Sequence, residues 1–444
     1  MPDSSAPPPT DTKIGGVTAT NIVIANIIGT GVFTSLGFQA LDIKSGFSLL
    51  MLWVIGGVFA LCGALCYGEL GASMPKSGGE YRYLSDIYHP AIGFLSGWVS
   101  VAVGFAAPIA LAAMAFGKYT AQILPVAEDG AVPAIFAIAI TIAVSLIHAQ
   151  NLKIGSIFQN VTTGVKVAVI VVFILCGLLL ADPQPLSFAP SAADLGTIAS
   201  APFAVSLVYV TYAYSGWNAA VYLASEIDEP AKNLPRSLLA GSAVVTLLYV
   251  LLNFVFLYST PLEELAGEIE VGYIAATNIF GTVGATLMGG AISFGLVSSI
   301  SSMVWAGPRV TQAIGEDFPL FAQLAKTNRA GIPRRAILVQ LAISLALIVS
   351  SSFEAVLTYL GFTLTLSSFV TVLGIFVDRA RHPERPRPYK TWGYPVVPVV
   401  FLAIALWILV FVFLGNPVES CIGLATVAVG LPLYRFASRA GKVA

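Results

Sequence analysis

Long apolar runs alternate along this chain with short polar stretches. A helix that crosses a bilayer needs about 20 mainly apolar residues. Twelve runs meet that length: 16–40, 47–71, 87–123, 131–149, 155–181, 198–225, 237–260, 275–313, 335–352, 355–377, 394–415 and 417–434. The third and eighth are long enough to tilt or to continue out of the lipid. Residues 1–13 are polar and proline-rich, which predicts a disordered tail rather than a signal peptide or a helix.

Two runs are interrupted at their centres. The first carries Ala25-Asn26-Ile27-Ile28-Gly29-Thr30-Gly31-Val32-Phe33 inside the uncharged stretch Ile14 to Leu41. Each glycine inside a helix costs about 1 kcal/mol relative to alanine. Two glycines around a threonine therefore predict a local opening of the backbone. Irregular backbone at membrane depth is tolerated only where it is buried in protein or lines a cavity. The amides of a half-helix that begins there attract an anion such as a carboxylate. The competing reading is that Gly29 and Gly31 only let a neighbouring helix pack closely.

The sixth run reads Tyr209-Val210-Thr211-Tyr212-Ala213-Tyr214-Ser215-Gly216-Trp217-Asn218 and is broken at Ser215-Gly216. It follows the first by five runs, so it holds the same place in a second set of five. Paired interruptions at corresponding positions are the best sequence pointer to a transporter's substrate site. An odd number of spans per repeat gives the repeats opposite orientations. This pairing favours opened backbone over mere close packing. Such a site suits a zwitterion: the carboxylate meets the amides at Thr30 and Gly31, and the ammonium meets carbonyls near Ile27, Tyr212, Ala213 and Ser215. Tyr212 is placed to close over the substrate, though ordinary aromatic packing also accounts for Tyr212 and Tyr214, and it is the better account of Trp217.

Composition narrows the class. Of 444 residues, 57% are hydrophobic and 10% charged, against about 25% charged in soluble domains, so this is an integral membrane protein. The net charge of −1 gives no electrostatic case for nucleic acid. With twelve spans, nineteen of the twenty-two Lys and Arg fall on the side that holds both termini. Lys44 and Lys118 fall on the other side, and Lys166 lies within a span. Cytoplasmic loops collect Lys and Arg, which puts both termini in the cytoplasm. Cys62, Cys66, Cys176 and Cys421 all lie in apolar runs and read as packing residues. His89, His148 and His382 are scattered and form no catalytic cluster, which argues against a membrane-embedded enzyme; no cofactor is expected. Helix breaks paired across a repeat favour a closed binding site over a channel.

Lys166 lies roughly ten residues from either end of the fifth run, too deep to snorkel comfortably, and intramembrane charges are expensive enough to suggest function. Either the amine trades a proton with the working solution, or it stays charged and holds the first span to the fifth in place of a bound sodium ion. A third reading is a lysine in a wet vestibule with no coupling role. Ser298 and Ser302 on the eighth run carry hydroxyls that can face it, although serines are also common small interface residues.

Five stretches in order give the chain a family likeness. They are Ile28 to Phe33; Gly68-Glu69-Leu70-Gly71-Ala72-Ser73-Met74-Pro75-Lys76-Ser77-Gly78-Gly79-Glu80-Tyr81; Lys166; Tyr212 to Asn218 with Asn233-Leu234-Pro235-Arg236; and Arg387-Pro388-Tyr389-Lys390 with Gly393-Tyr394-Pro395. On these residues the chain resembles the amino acid–polyamine–organocation superfamily, and within it the L-type amino acid transporter branch. The resemblance implies an all-α membrane protein of twelve helices with a LeuT-like five-plus-five inverted repeat and discontinuous first and sixth helices. It implies repeats over 14–181 and 198–377, a basic cytoplasmic loop over 378–393, peripheral helices over 394–434, and a cytoplasmic tail over 435–444. It also implies substrate contacts at Ile27, Gly29, Thr30, Gly31, Tyr212, Ala213, Ser215 and Asn218. Lys166 stands where sodium-independent relatives carry a lysine in the place of a sodium site.

Two departures matter. Animal light chains of this branch carry a cysteine after the third helix that links them to a glycoprotein partner. The loop Pro125 to Pro133 has none, so no such partner is expected. Thr30 stands where serine is commoner, which keeps the hydroxyl. No Asp or Glu occupies the central part of any span, which favours neutral amino acids over cationic ones or polyamines. Glu69, Glu80 and Arg236 are among charges crowding the inner ends of the second and sixth helices. With Lys76, Arg82, Glu226 and Asp228 they form a set in which some charges, Glu69 and Arg236 among the candidates, are expected to pair as an inner gate in the outward-facing state; solvated loop charges are the competing reading. The resulting expectation is a sodium-independent exchanger or proton symporter of neutral amino acids in a plasma membrane, expected to be a bacterial inner membrane.

Overall fold

The computed structural model of the chain describes residues 13–76, 78–124, 131–150, 153–328 and 331–440. The expected tail over 1–12, the loop over 125–130 and the last four residues lie outside that description. Helices make up the described chain, and its isolated β-bridge joins Ile14 to Ile227. In chain order the helices are α1 (Gly16–Ile27), α2 (Gly31–Asp42), α3 (Gly46–Ser73), α4 (Gly79–Ile87), α5 (Pro90–Val99), α6 (Ala106–Ile123), α7 (Val132–His148), α8 (Lys153–Leu180), α9 (Ala192–Ile198), α10 (Ala201–Ala213), α11 (Pro230–Ser259), α12 (Leu262–Leu265), α13 (Val271–Asp317), α14 (Ala322–Ala325), α15 (Arg334–Ser350), α16 (Phe353–Arg381), α17 (Val396–Gly415) and α18 (Pro417–Ala440).

Among the described residues nine helices, with α1 and α2 taken together and α5 and α6 taken together, are long and apolar enough to cross a membrane. The count is ten if α9 and α10, bent by 66°, form one span. The fourth and ninth expected runs fall on the shorter helices α7 and α15, of 17 residues each. The long third run is α5 and α6 joined by a π-helical turn, Ser100–Gly104. Such single π turns often mark functional sites. The long eighth run is α13, 47 residues with a break at Gly281 (φ 71°).

Both interrupted runs are broken in the structure. Residues 28–30 separate α1 from α2, and residues 214–218 separate α10 from a 3-10 segment, Ala219–Glu226. Small residues let the breaks meet. A Cβ at Gly31 would lie 2.5 Å from the Ala213 Cα. Gly216, at φ 97°, has no room for one against the Asn26 carbonyl, 2.7 Å away. We expect Gly216→Ala to cost both the left-handed backbone strain and this contact, roughly 1–3 kcal/mol, read as a lowered melting temperature; an unshifted melt would mean that the break repacks freely.

The two breaks leave one end of the molecule closed and the other open. Where α2 ends, the Gly267 N–H donates to the Gly37 carbonyl at 2.8 Å. The Tyr119 hydroxyl donates to the Phe33 carbonyl at 2.9 Å and accepts from the Gly272 N–H at 3.0 Å. The Phe38 ring stacks on Phe353, centroids 5.8 Å apart. At the other end, where α1 begins, a cavity lies between the helices, with Ile14 bonded to Glu226 and Asp228 and Arg82 paired with Asp317 at 3.1 Å beside it.

Candidate functional site

A cavity of about 1230 Å³ lies beside the two breaks. Its wall includes Asn21 and Ala25 of α1, Tyr212, Ser215 and Asn218 of the sixth run, the π turn at Ser100 and Gly104, Ser302 and Trp305 of α13, and Ser367 of α16. Exposed Glu226, Arg309 and Glu316 stand at its mouth. The Arg309 guanidinium lies over the Trp305 ring, 3.8 Å from its centre.

Three of the eight expected substrate residues, Tyr212, Ser215 and Asn218, are in this wall. Ile27, Gly29, Thr30, Gly31 and Ala213 are set behind it. Thr30 is buried and hydrogen-bonded to the Tyr212 side chain, so Tyr212 covers it. Breaking a helix frees carbonyls that must find partners, and here side chains supply them. The Tyr249 hydroxyl donates to the Ile27 carbonyl at 2.8 Å. The Lys166 ammonium donates to the Ile28 carbonyl at 3.0 Å and to the Ser299 hydroxyl at 2.9 Å. Ile27 therefore already has one donor on its carbonyl, where the sequence suggested an open acceptor.

Lys166 thus joins α8 to the break and to α13, on which Gly295 leaves room for its stem (Cβ to Lys166 Cγ 3.3 Å). Its hydroxyl partner is Ser299, in place of the expected Ser298 and Ser302. The Ser302 hydroxyl donates to the Ser299 carbonyl at 2.9 Å, and Ser298 is fully buried. Helical phase explains the change: each step along α13 turns a side chain by about 100°. The neighbouring Ser301 hydroxyl is 2.8 Å from His148 Nε2. Trp217 is buried, edge-on to Tyr67 at 4.6 Å, with part of its surface in the cavity wall.

In this structure Glu69 and Arg236, two of the gate candidates, are not paired with each other. Arg236 is exposed and makes no ion pair with the described residues. Glu69, at the inner end of α3, accepts a two-pronged pair of hydrogen bonds from Arg379 (2.8 and 2.7 Å) and one from the Thr391 N–H (2.7 Å). Arg387 lies 3.6 Å from Glu69 and bonds Asp378 at 2.8 Å. The helix that carries Arg236 packs against α3, with Pro235 beside Gly68, yet the arginines that reach Glu69 come from the end of α16 and the loop beyond. Gly68 explains why the loop fits: a Cβ there would come within 3.1 Å of both Pro235 and the Tyr389 ring.

One acid in the cavity wall was not expected there. Glu80 belongs to the short helix α4, outside the apolar runs, yet is only 5% exposed. Its carboxyl accepts from the Tyr67 hydroxyl (2.5 Å), Ser367 (3.1 Å) and the Asn218 amide (3.2 Å). The sequence argument against a carboxylate near the site counted only residues inside spans, and Glu80 enters from outside them. All four cysteines are free thiols, and no described group of His, Cys, Asp and Glu is placed to hold a metal ion.

The sequence profile of one family, described as amino acid permease, matches residues 14–425. The chain is 28% identical over 435 residues to the large neutral amino acids transporter small subunit 2 of Mus musculus, covering 95% of this chain and 80% of that one. It is 27% identical over 431 residues to the Asc-type amino acid transporter 1 of Mus musculus, with coverage of 95% and 80%. It is 28% identical over 429 residues to the serine/threonine exchanger SteT of Bacillus subtilis (strain 168), covering 95% of this chain and 96% of that one.

Proposed function

The chain belongs to the amino acid permease family, as a membrane transporter and not an enzyme, and from that premise we propose that it moves neutral L-amino acids by alternating access without sodium. The observation that carries this reading is the meeting of two broken helices over one cavity, Gly31 against Ala213 and Gly216 against Asn26. Backbone polar groups at such a junction suit both charged ends of a zwitterion. The relatives' names, with large neutral amino acids in one and serine and threonine in another, support a neutral side chain. So does the state of Glu80, whose oxygens already accept from three neutral donors. The same acid is the observation that favours a second reading, cationic amino acids or polyamines.

The architecture that goes with this reading has twelve spans, with repeats over 14–181 and 198–377 and peripheral helices over 394–434. The termini face the cytoplasm of a bacterial inner membrane, and the chain works without a disulfide-linked partner. The closed α2 end and the open cavity then describe an inward-open state. Lys166 fills the place of a sodium ion, since its ammonium bridges the broken first helix to α13. Transport runs as exchange or as proton symport.

Reconstituted vesicles test this. Labelled neutral amino acids should enter without sodium and be competed weakly by lysine or polyamines; uptake that requires sodium would defeat the proposal. Thr30→Ala and Ser215→Ala should each raise KM about tenfold, the worth of one or two hydrogen bonds. Unchanged KM in both would move the site elsewhere in the cavity.

A further inference from the structure

Among the described residues Lys166 and Glu80 are buried ionisable side chains near the breaks, and His148 is a third in the cavity wall, held by Ser301 at 2.8 Å; they are not equivalent. Lys166 is tied to Ile28 and Ser299 and is not part of the cavity wall. Glu80 is part of the wall. It lies where three moving or bounding parts of the cavity join: Tyr67 on α3, Asn218 at the start of the 3-10 segment, and Ser367 on α16. Resting on the transport reading above, we propose that Glu80 is the proton-binding group of this transporter, taking one proton together with the substrate on the outer side and releasing it into the cavity in the inward-open state.

The surroundings fit that role. The groups facing Glu80 are the hydroxyls of Tyr67, Tyr83 and Tyr222, the Asn218 amide and Ser367, with Thr371 behind Tyr67. No described Lys, Arg or His pairs with it, and the adjacent Arg82 is engaged by Asp317 at 3.1 Å. Burial pushes the carboxyl up, and the three hydrogen bonds pull it partly back. A carboxyl balanced in this way, with no fixed cation to hold it ionised, can gain and lose a proton with modest changes around it. Asn218 is the part that changes. It is the last unwound residue of the sixth run and caps the 3-10 segment, so motion of that segment makes or removes its hydrogen bond. Loss of that donor favours the protonated acid; its return favours release. The step is proton binding and release alone, with no bond to carbon and no change of oxidation state.

The test uses the full chain in vesicles, with labelled neutral amino acid and an imposed pH gradient. In the wild type a proton gradient should drive accumulation, and uptake should depend on pH. Glu80→Gln should lose the gradient-driven accumulation and flatten the pH profile, leaving whatever exchange remains independent of pH. Tyr67→Phe, which removes one donor to the ionised form, should move the midpoint upward by about one pH unit, the size one such hydrogen bond supports. A purely structural role for Glu80 would move neither midpoint. A pH profile for Glu80→Gln or Tyr67→Phe that superposes on the wild type would overturn the proposal, as would wild-type exchange that ignores pH. Competition by lysine that vanishes in Glu80→Gln would overturn it too, by making Glu80 a substrate contact. Absence of any amino acid uptake by the wild type would instead defeat the transport reading beneath it.

Discussion

Uptake by the Lys166→Ala variant should fall by about tenfold or more while the protein still purifies as a folded, monodisperse particle. The ammonium makes two charge-assisted hydrogen bonds, to the Ile28 carbonyl and the Ser299 hydroxyl. Each such bond contributes about 1.5–3 kcal/mol. Alanine would remove the donor from the buried Ile28 carbonyl at the very point where the first helix stops satisfying itself. The overall fold, held by a large apolar core, does not depend on that contact. Local geometry of the break does, and the proposed transport cycle depends on the break. Initial uptake rates in vesicles, compared with size-exclusion profiles, make the measurement. Wild-type rates in the variant would show that nothing in transport needs the tie between α8, the break and α13.

Stability should respond most to Glu69→Ala. The acid is almost wholly buried and receives Arg379 at 2.7 Å, the Thr391 N–H at 2.7 Å and Arg387 at 3.6 Å. Arg387 is itself only 9% exposed at its side chain. Removing one partner from a buried ion pair typically costs about 3–5 kcal/mol, because the opposite charge is left without compensation. The thermal midpoint in detergent should drop clearly. Glu69→Gln should drop it less, since an amide oxygen still accepts the Thr391 N–H. A melting curve for Glu69→Ala on top of the wild type would mean that water already shares these arginines.

How far the sequence carries this picture differs residue by residue. Gly29-Thr30-Gly31 and Ser215-Gly216 announce the two breaks because they weaken the helix at corresponding places five runs apart. Lys166 announces itself because a charge at that depth is costly. These signals are local. Tyr249, which caps the Ile27 carbonyl, gives no such sign, because one tyrosine in the apolar helix α11 looks like any packing aromatic. Glu80 lies in a polar turn, and only the folding of α4 between α3, the 3-10 segment and α16 buries it. The pairing of Glu69 with Arg379 joins residues 310 positions apart, which no spacing rule anticipates. Ser299 was missed for a smaller reason: a run of serines on one helix leaves its facing member undetermined until the helix is rotated into place.

The short bridge between Ile14 and Ile227 carries a mechanical meaning. The Ile14 N–H donates to the Glu226 carbonyl at 2.8 Å, and the Asp228 N–H donates to the Ile14 carbonyl at 2.9 Å. This fastens the start of α1 to the end of the 3-10 segment, while Gly216 seats against Asn26 at their inner ends. Fastened at both extremities, the two half-helices are mechanically one piece.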